Sequence, residues 1–173
     1  MPTRRGLLGG IGLLGFTIAG RSLVLSPAEA RAAGYRPQTL SSAEAATLEA
    51  VGEALVPGAA EAGIAAYVDQ QISGPPEEAL LMLRYLDVPP PYAGFYRAAL
   101  ARVDDIARES FGSSMADIGP EAATGLVRDL VERDFSAYFA LRADAVDVVY
   151  GTRAGMERLG VPIMGHIEPE SEW

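Results

Sequence analysis

Proline and glycine cut residues 40–151 into short segments, and within each segment the apolar side chains recur every three or four positions. That period is the helical one. Ser41 opens the first segment, and Glu44 three positions on completes a capping box. Leu48, Val51 and Leu55 then share a stripe until Pro57-Gly58 ends it. Ile64, Val68 and Ile72 mark a second helix, with Tyr67 beside them, closed by Gly74-Pro75-Pro76. A third is expected over residues 77–86, apolar nearly all round through Leu80, Leu81, Leu83 and Leu86. Asp87-Val88-Pro89-Pro90-Pro91 is a stiff connector, since consecutive prolines cannot continue a helix. The longest helix follows over residues 92–111, with Tyr92, Phe95, Tyr96, Ala99, Val103 and Ile106 as its apolar face. Pro120 opens a fifth, packed through Ala123, Leu126 and Leu130. A sixth runs from beyond Asp134 to about Gly151. No part of this region alternates apolar and polar residues over strand length, so the fold class is all-α: one multi-helix domain of about six helices, residues 40–151, with an irregular C-terminal tail.

That tail, residues 152–173, is punctuated by glycine and proline yet keeps Met156, Leu159, Val161, Ile163, Met164, Ile167 and Trp173. A solvated tail has no need of so many hydrophobes. It belongs on the domain's own surface or on another subunit.

Residues 1–32 have a different character. Arg4 and Arg5 form a positive start with no acidic residue, and Gly6 to Gly20 is wholly apolar, glycine or threonine. Ala30-Arg31-Ala32 has the small-x-small pattern of a signal-peptidase site. The paired arginines, with Thr3 before them and Leu7 and Leu8 after, read as a twin-arginine export signal. Cleavage after Ala32 would leave residues 33–39 as an extended leader to the helical domain. The alternative is an uncleaved N-terminal anchor, although the glycine-rich run is short for a spanning helix.

Charge and rare residues narrow the function. From Ala33 onward ten arginines face 22 acidic residues, a net charge of −12. Such a surface disfavours nucleic acid and anionic lipid and suits a partner with basic patches. All the positive charge is arginine, which fits bidentate pairing at interfaces and equally a genome rich in arginine codons. The absence of cysteine excludes disulfides, covalent haem attachment, thiolate zinc and cysteine-ligated iron–sulfur clusters. His166 is the only histidine, so a histidine metal cluster and a bis-histidine haem are excluded as well. No nucleophile elbow, dinucleotide fingerprint or phosphate loop occurs after the leader. No carboxylate stands isolated in an apolar run as an acid of raised pKa would. Asp144 and Asp147, three apart on the sixth helix, are assigned to a solvated face or an arginine contact. No catalytic, cofactor-binding or metal residue is therefore assigned in this chain.

Four stretches carry a family resemblance. They are LSSAEAATLEAVGEALVPG at 40–58, AAEAGIAAYVDQQI at 59–72, YAGFYRAALARVD at 92–104 and YGTRAGMERLGVPIMGHIEP at 150–169. Their order and spacing resemble the gluconate 2-dehydrogenase subunit 3 family. Some members end the last helix in a proline–tyrosine–glycine–glycine stretch, where this chain has Val149-Tyr150-Gly151-Thr152. The resemblance implies a small, cofactor-free subunit of a periplasmic, membrane-associated dehydrogenase. Its large partner would be a flavoprotein of the glucose–methanol–choline type carrying FAD and oxidising sugars, sugar acids or other alcohols. A cytochrome c subunit with haem c passes electrons onward in many such systems. The small subunit would stabilise the flavoprotein and carry the signal for its folded export, and membrane association would come through the complex. Tyr150, Arg153, Met156, Leu159, Pro162, Met164, His166 and Trp173 are the expected partner contacts, because aromatics, methionine and arginine are enriched in interface cores. The third helix with Pro89 to Pro91 is a second candidate surface. Two other readings are a free-standing periplasmic scaffold or binding domain, and an enzyme whose site escapes motif reading.

Overall fold

The computed structural model describes residues 13–160. In chain order these form a hairpin of β1 (Leu14–Ile18) and β2 (Arg21–Leu25), then α1 (Pro27–Ala32), α2 (Ser42–Leu55) and α3 (Ile64–Ser73). Two 3-10 turns follow, Pro76–Glu78 and Met82–Tyr85, and then α4 (Ala93–Phe111), α5 (Pro120–Arg133), α6 (Phe135–Tyr150) and α7 (Arg153–Arg158). The expected all-α domain is present, with the hairpin and α1 added at its N-terminal side.

α2 packs against α3, α4, α5 and α6. Its start is the expected capping box. Ser41 Oγ accepts the Glu44 N–H at 3.2 Å, and Glu44 Oε2 accepts the Ser41 N–H at 2.7 Å. Leu48 and Val51 on α2, Ile64 and Val68 on α3, Leu100 and Val103 on α4, Leu126 and Leu130 on α5 and Leu141 on α6 form one buried core. The loop after α4 is tied back by Asp104, whose Oδ1 accepts the Met115 N–H at 3.0 Å and the Thr47 hydroxyl at 3.3 Å.

Residues 77–86 do not form the expected helix. Pro75 and Pro76 start a single 3-10 turn, and Ala79 and Leu81 are extended. The freed N–H of Leu80 is taken up by Gln71 Oε1 at 2.7 Å, which satisfies the backbone without a helical ladder. Ala79, Leu81 and Leu83 are buried while Leu80 between them is exposed. The all-round apolar pattern is therefore an extended step over Ala79–Leu81 followed by a 3-10 turn that buries Leu83.

Residues 13–32, read from the sequence as the second half of an export signal, are folded onto the domain. Leu14, Phe16 and Ile18 alternate with Gly15 and Thr17, and the two-residue turn Ala19-Gly20 has positive φ at both positions, 49° and 76°. That is the turn whose twist matches a tight hairpin. Phe16 is buried with Ala30 of α1 and Ala66 of α3, and its ring meets Tyr35 edge-on with centroids 4.9 Å apart.

Candidate functional site

α3 sits between an N-terminal arm, made of the hairpin and α1, and the rest of the bundle. Ile64, Ala65, Ala66, Tyr67, Val68, Asp69 and Gln71 are all buried, so the helix faces protein on nearly every side. Asp69 is completely buried and saturated. Its carboxylate accepts the Tyr35 hydroxyl at 2.7 Å and the N–H groups of Gln38, Thr39 and Leu40 at 2.7, 2.9 and 2.7 Å. One side chain thus anchors the whole connection between α1 and α2.

On the other side of α3 lies a cavity of about 560 Å³. The arm closes one wall with Leu14, Ser26, Pro27 and Ala28. Tyr67, Asp147 and Val148 are further lining residues, and α7 with the turn before it adds Thr152, Gly155 and Arg158. The turn into α7 is set by Thr152, whose Oγ1 accepts the Gly155 N–H at 3.0 Å. A side chain at residue 155 would collide with the backbone of Val149 and Tyr150, so only glycine lets α7 lie this close to the end of α6.

An acidic pair stands behind this cavity. Asp144, assigned from sequence to a solvated face or an arginine contact, is instead fully buried. The Tyr96 hydroxyl donates to its Oδ2 at 2.6 Å, and its Oδ1 has no hydrogen-bond partner among the described residues. Burial, and secondarily the nearby Asp147, push the Asp144 carboxyl up to about 7, against the opposing effect of the Tyr96 hydrogen bond. Asp147 is only half-buried, and burial raises it as well. The phenols of Tyr67 and Tyr96 are pushed well above their ordinary range, first by burial and then by Asp144. For all these groups burial favours the neutral form. Among the described residues no three His, Asp or Glu side chains converge where they could hold a metal ion. Among the same residues no helix is long and apolar enough to cross a membrane.

The expected contact residues are only partly brought together. Tyr150, at the end of α6, is half-buried against the core. Arg153 begins α7, Met156 within it is half-buried, and Leu159 at its end is 53% exposed. Pro162, Met164, His166 and Trp173 lie outside the described residues, as do Arg4 and Arg5. Of the processing pair, Ala30 is completely buried and Ala32 is exposed at the last position of α1. The second expected surface is exposed at Leu80, Tyr85 and Leu86. A third apolar patch, not anticipated, brings Phe135 and Phe139 together at the start of α6, rings 6.0 Å apart. Their spacing of four on one helix was a usable signal.

The family model for gluconate 2-dehydrogenase subunit 3 matches residues 42–158, from the start of α2 to the end of α7. The chain belongs to the gluconate 2-dehydrogenase subunit 3 family. Comparisons with curated proteins and with solved structures returned no match. A subunit 3 chain is an accessory component of a dehydrogenase-type complex. The matched span takes in the α3, α6 and α7 lining of the cavity and the buried Tyr96–Asp144 pair, and leaves out the hairpin and α1 with their share of the wall.

Proposed function

We propose that this subunit 3 chain is noncatalytic, that it stabilises a large FAD-carrying dehydrogenase of the glucose–methanol–choline type, and that it directs that partner's folded export to the periplasm. The observation that carries this reading is the pairing of a twin-arginine-like start, Arg4 and Arg5, with an accessory-subunit domain. A signal for folded cargo is useful here because the cargo includes a protein that must acquire its flavin before crossing. The large subunit binds substrate and carries out hydride transfer to FAD. In complexes with a cytochrome c subunit, haem c takes the electrons on. The end of α6, α7 and the residues after them are the docking edge, through Tyr150, Arg153, Met156, Leu159, Pro162, Met164, His166 and Trp173. The exposure of Leu159 beside the cavity supports that assignment.

The test is made in the native host with Arg4→Lys and Arg5→Lys together. Charge is kept while the arginine pair is lost. Cell fractionation is expected to find both this chain and the flavoprotein in the cytoplasm, with periplasmic dehydrogenase activity at background. Normal export of the flavoprotein without this chain would refute the escort role.

A further inference from the structure

We propose that residues 14–33 form a docked arm that masks its own processing site. With the arm seated on α3, the Ala30-Arg31-Ala32 segment cannot be cut, and processing after Ala32 requires the arm to undock first. The inference rests on the reading of Ala30 and Ala32 as a signal-peptidase pair, and extends it from sequence to accessibility.

A peptidase takes its substrate as an extended strand, reading main-chain groups and alternate side chains. Here those groups are already engaged. Residues 27–32 are helical, and the helix is capped at its start. Ser26 Oγ accepts the Glu29 N–H at 3.2 Å, and Glu29 Oε2 accepts the Ser26 N–H at 2.8 Å. The Ala30 N–H donates to the Ser26 carbonyl at 2.9 Å, the Ala33 N–H to the Glu29 carbonyl at 2.9 Å, and the Gly34 N–H to the Arg31 carbonyl at 3.0 Å. The Ala30 side chain, which a peptidase pocket would have to receive, is completely buried beside Phe16 and Ala66.

The arm is fixed to the domain at independent points. Phe16 is 2% exposed in an otherwise apolar contact. Arg31 Nε meets Glu49 Oε1 on α2 at 3.1 Å. Tyr35 holds the far end through Asp69. Gly63, at φ 85°, lies so close to α1 that a Cβ there would overlap the Pro27 carbonyl and stand 2.9 Å from the Ala28 nitrogen. The glycine is thus required twice, for its left-handed backbone and for the approach of the arm. Docked and processed forms would present different faces, because the arm supplies Leu14, Ser26, Pro27 and Ala28 to the cavity wall. Loss of residues 1–32 would open that wall.

The experiment uses the purified full-length chain, its Phe16→Asp variant and a Gly63→Val variant that pushes α1 away at Pro27 from the domain side. Hydrogen exchange is followed at the amides of Ala30, Ala33 and Gly34, with α4 and α5 amides reporting whether the domain stays folded. The wild type is expected to protect the three arm amides. Either variant should speed their exchange by about a hundredfold or more, as local opening replaces a buried contact, with α4 and α5 unchanged. Incubation with signal peptidase should then leave the wild type intact and release a product beginning at Ala33 from the variants. Arm amides of the wild type exchanging as in a free peptide, or equal processing of wild type and variants, would overturn the masking. An undocked arm that is still never cut would overturn it differently, by removing Ala30–Ala32 as a processing pair. The Arg4→Lys, Arg5→Lys chain should keep full arm protection, which separates this result from the outcome of the export test.

Discussion

Replacing Asp69 by alanine should lower the stability of the chain by about 3–5 kcal/mol, because a buried acceptor is removed while its donors remain. Four donors converge on this carboxylate: the Tyr35 hydroxyl and the N–H groups of Gln38, Thr39 and Leu40. The carboxyl group that they share is completely buried. The cost is less than the sum of four lost hydrogen bonds, since the connection is part-buried and water can reach some donors once it loosens. Asp69→Asn keeps one accepting oxygen and should cost roughly half as much. Urea unfolding of the full chain at fixed pH measures both. A loss below about 1 kcal/mol for Asp69→Ala would show that the connection is not held by this side chain. The consequence reaches the arm, because Tyr35 joins the Asp69 cluster to Phe16.

Asp144 gives the second large effect, in the opposite direction. Its carboxyl titrates at about 7 in the folded chain, against 3.8 for an ordinary aspartate. Between those values the unfolded chain releases the proton and the folded chain keeps it. This group's contribution to stability is therefore fullest below about pH 4, falls as pH rises towards 7, and is flat beyond, by up to about 4 kcal/mol for a shift of this size. Asp147, raised by burial, adds to the same slope. Asp144→Asn keeps an oxygen to accept the Tyr96 hydroxyl and cannot ionise. It should be close to the wild type at pH 4 and clearly more stable at pH 8, with most of the slope between removed. Thermal melts of the two chains from pH 4 to 8 decide it. Parallel curves would mean that Asp144 is ionised in the folded state with a partner other than Tyr96.

The helical part of the fold was legible because its signals are local. Ser41 and Glu44 cap α2 as their spacing requires, and Gly112 ends α4 in the left-handed conformation at φ 73°. The missed features depend on where a segment lands. Leu80, Leu81 and Leu83 fit a helix or an extended run with a 3-10 turn equally well, and the hydrogen bond that the Leu80 N–H donates to Gln71, nine residues earlier, decides between them. Leu14, Phe16 and Ile18 alternate with Gly15 and Thr17, but inside an apolar run neither of these marks a polar face. Asp144 looked solvent-facing because its i+3 neighbour is also acidic. Its burial follows from Tyr96, 48 positions earlier, whose hydroxyl is spent on it. Thr152 and Gly155 had the cap spacing of a short helix, within a tail that glycine and proline made look irregular throughout. The candidate docking edge was readable as composition, and its geometry only as far as Leu159.

The decisive property of this chain is whether it works as part of another enzyme. Tagged full-length chain, purified from its native host without dissociating conditions, measures that directly. The expected result is a stoichiometric large flavoprotein in the eluate, dehydrogenase activity in the complex, and none in the chain stripped of its partner. A chain that elutes with no flavoprotein, or that turns over an alcohol or sugar acid alone, would contradict it.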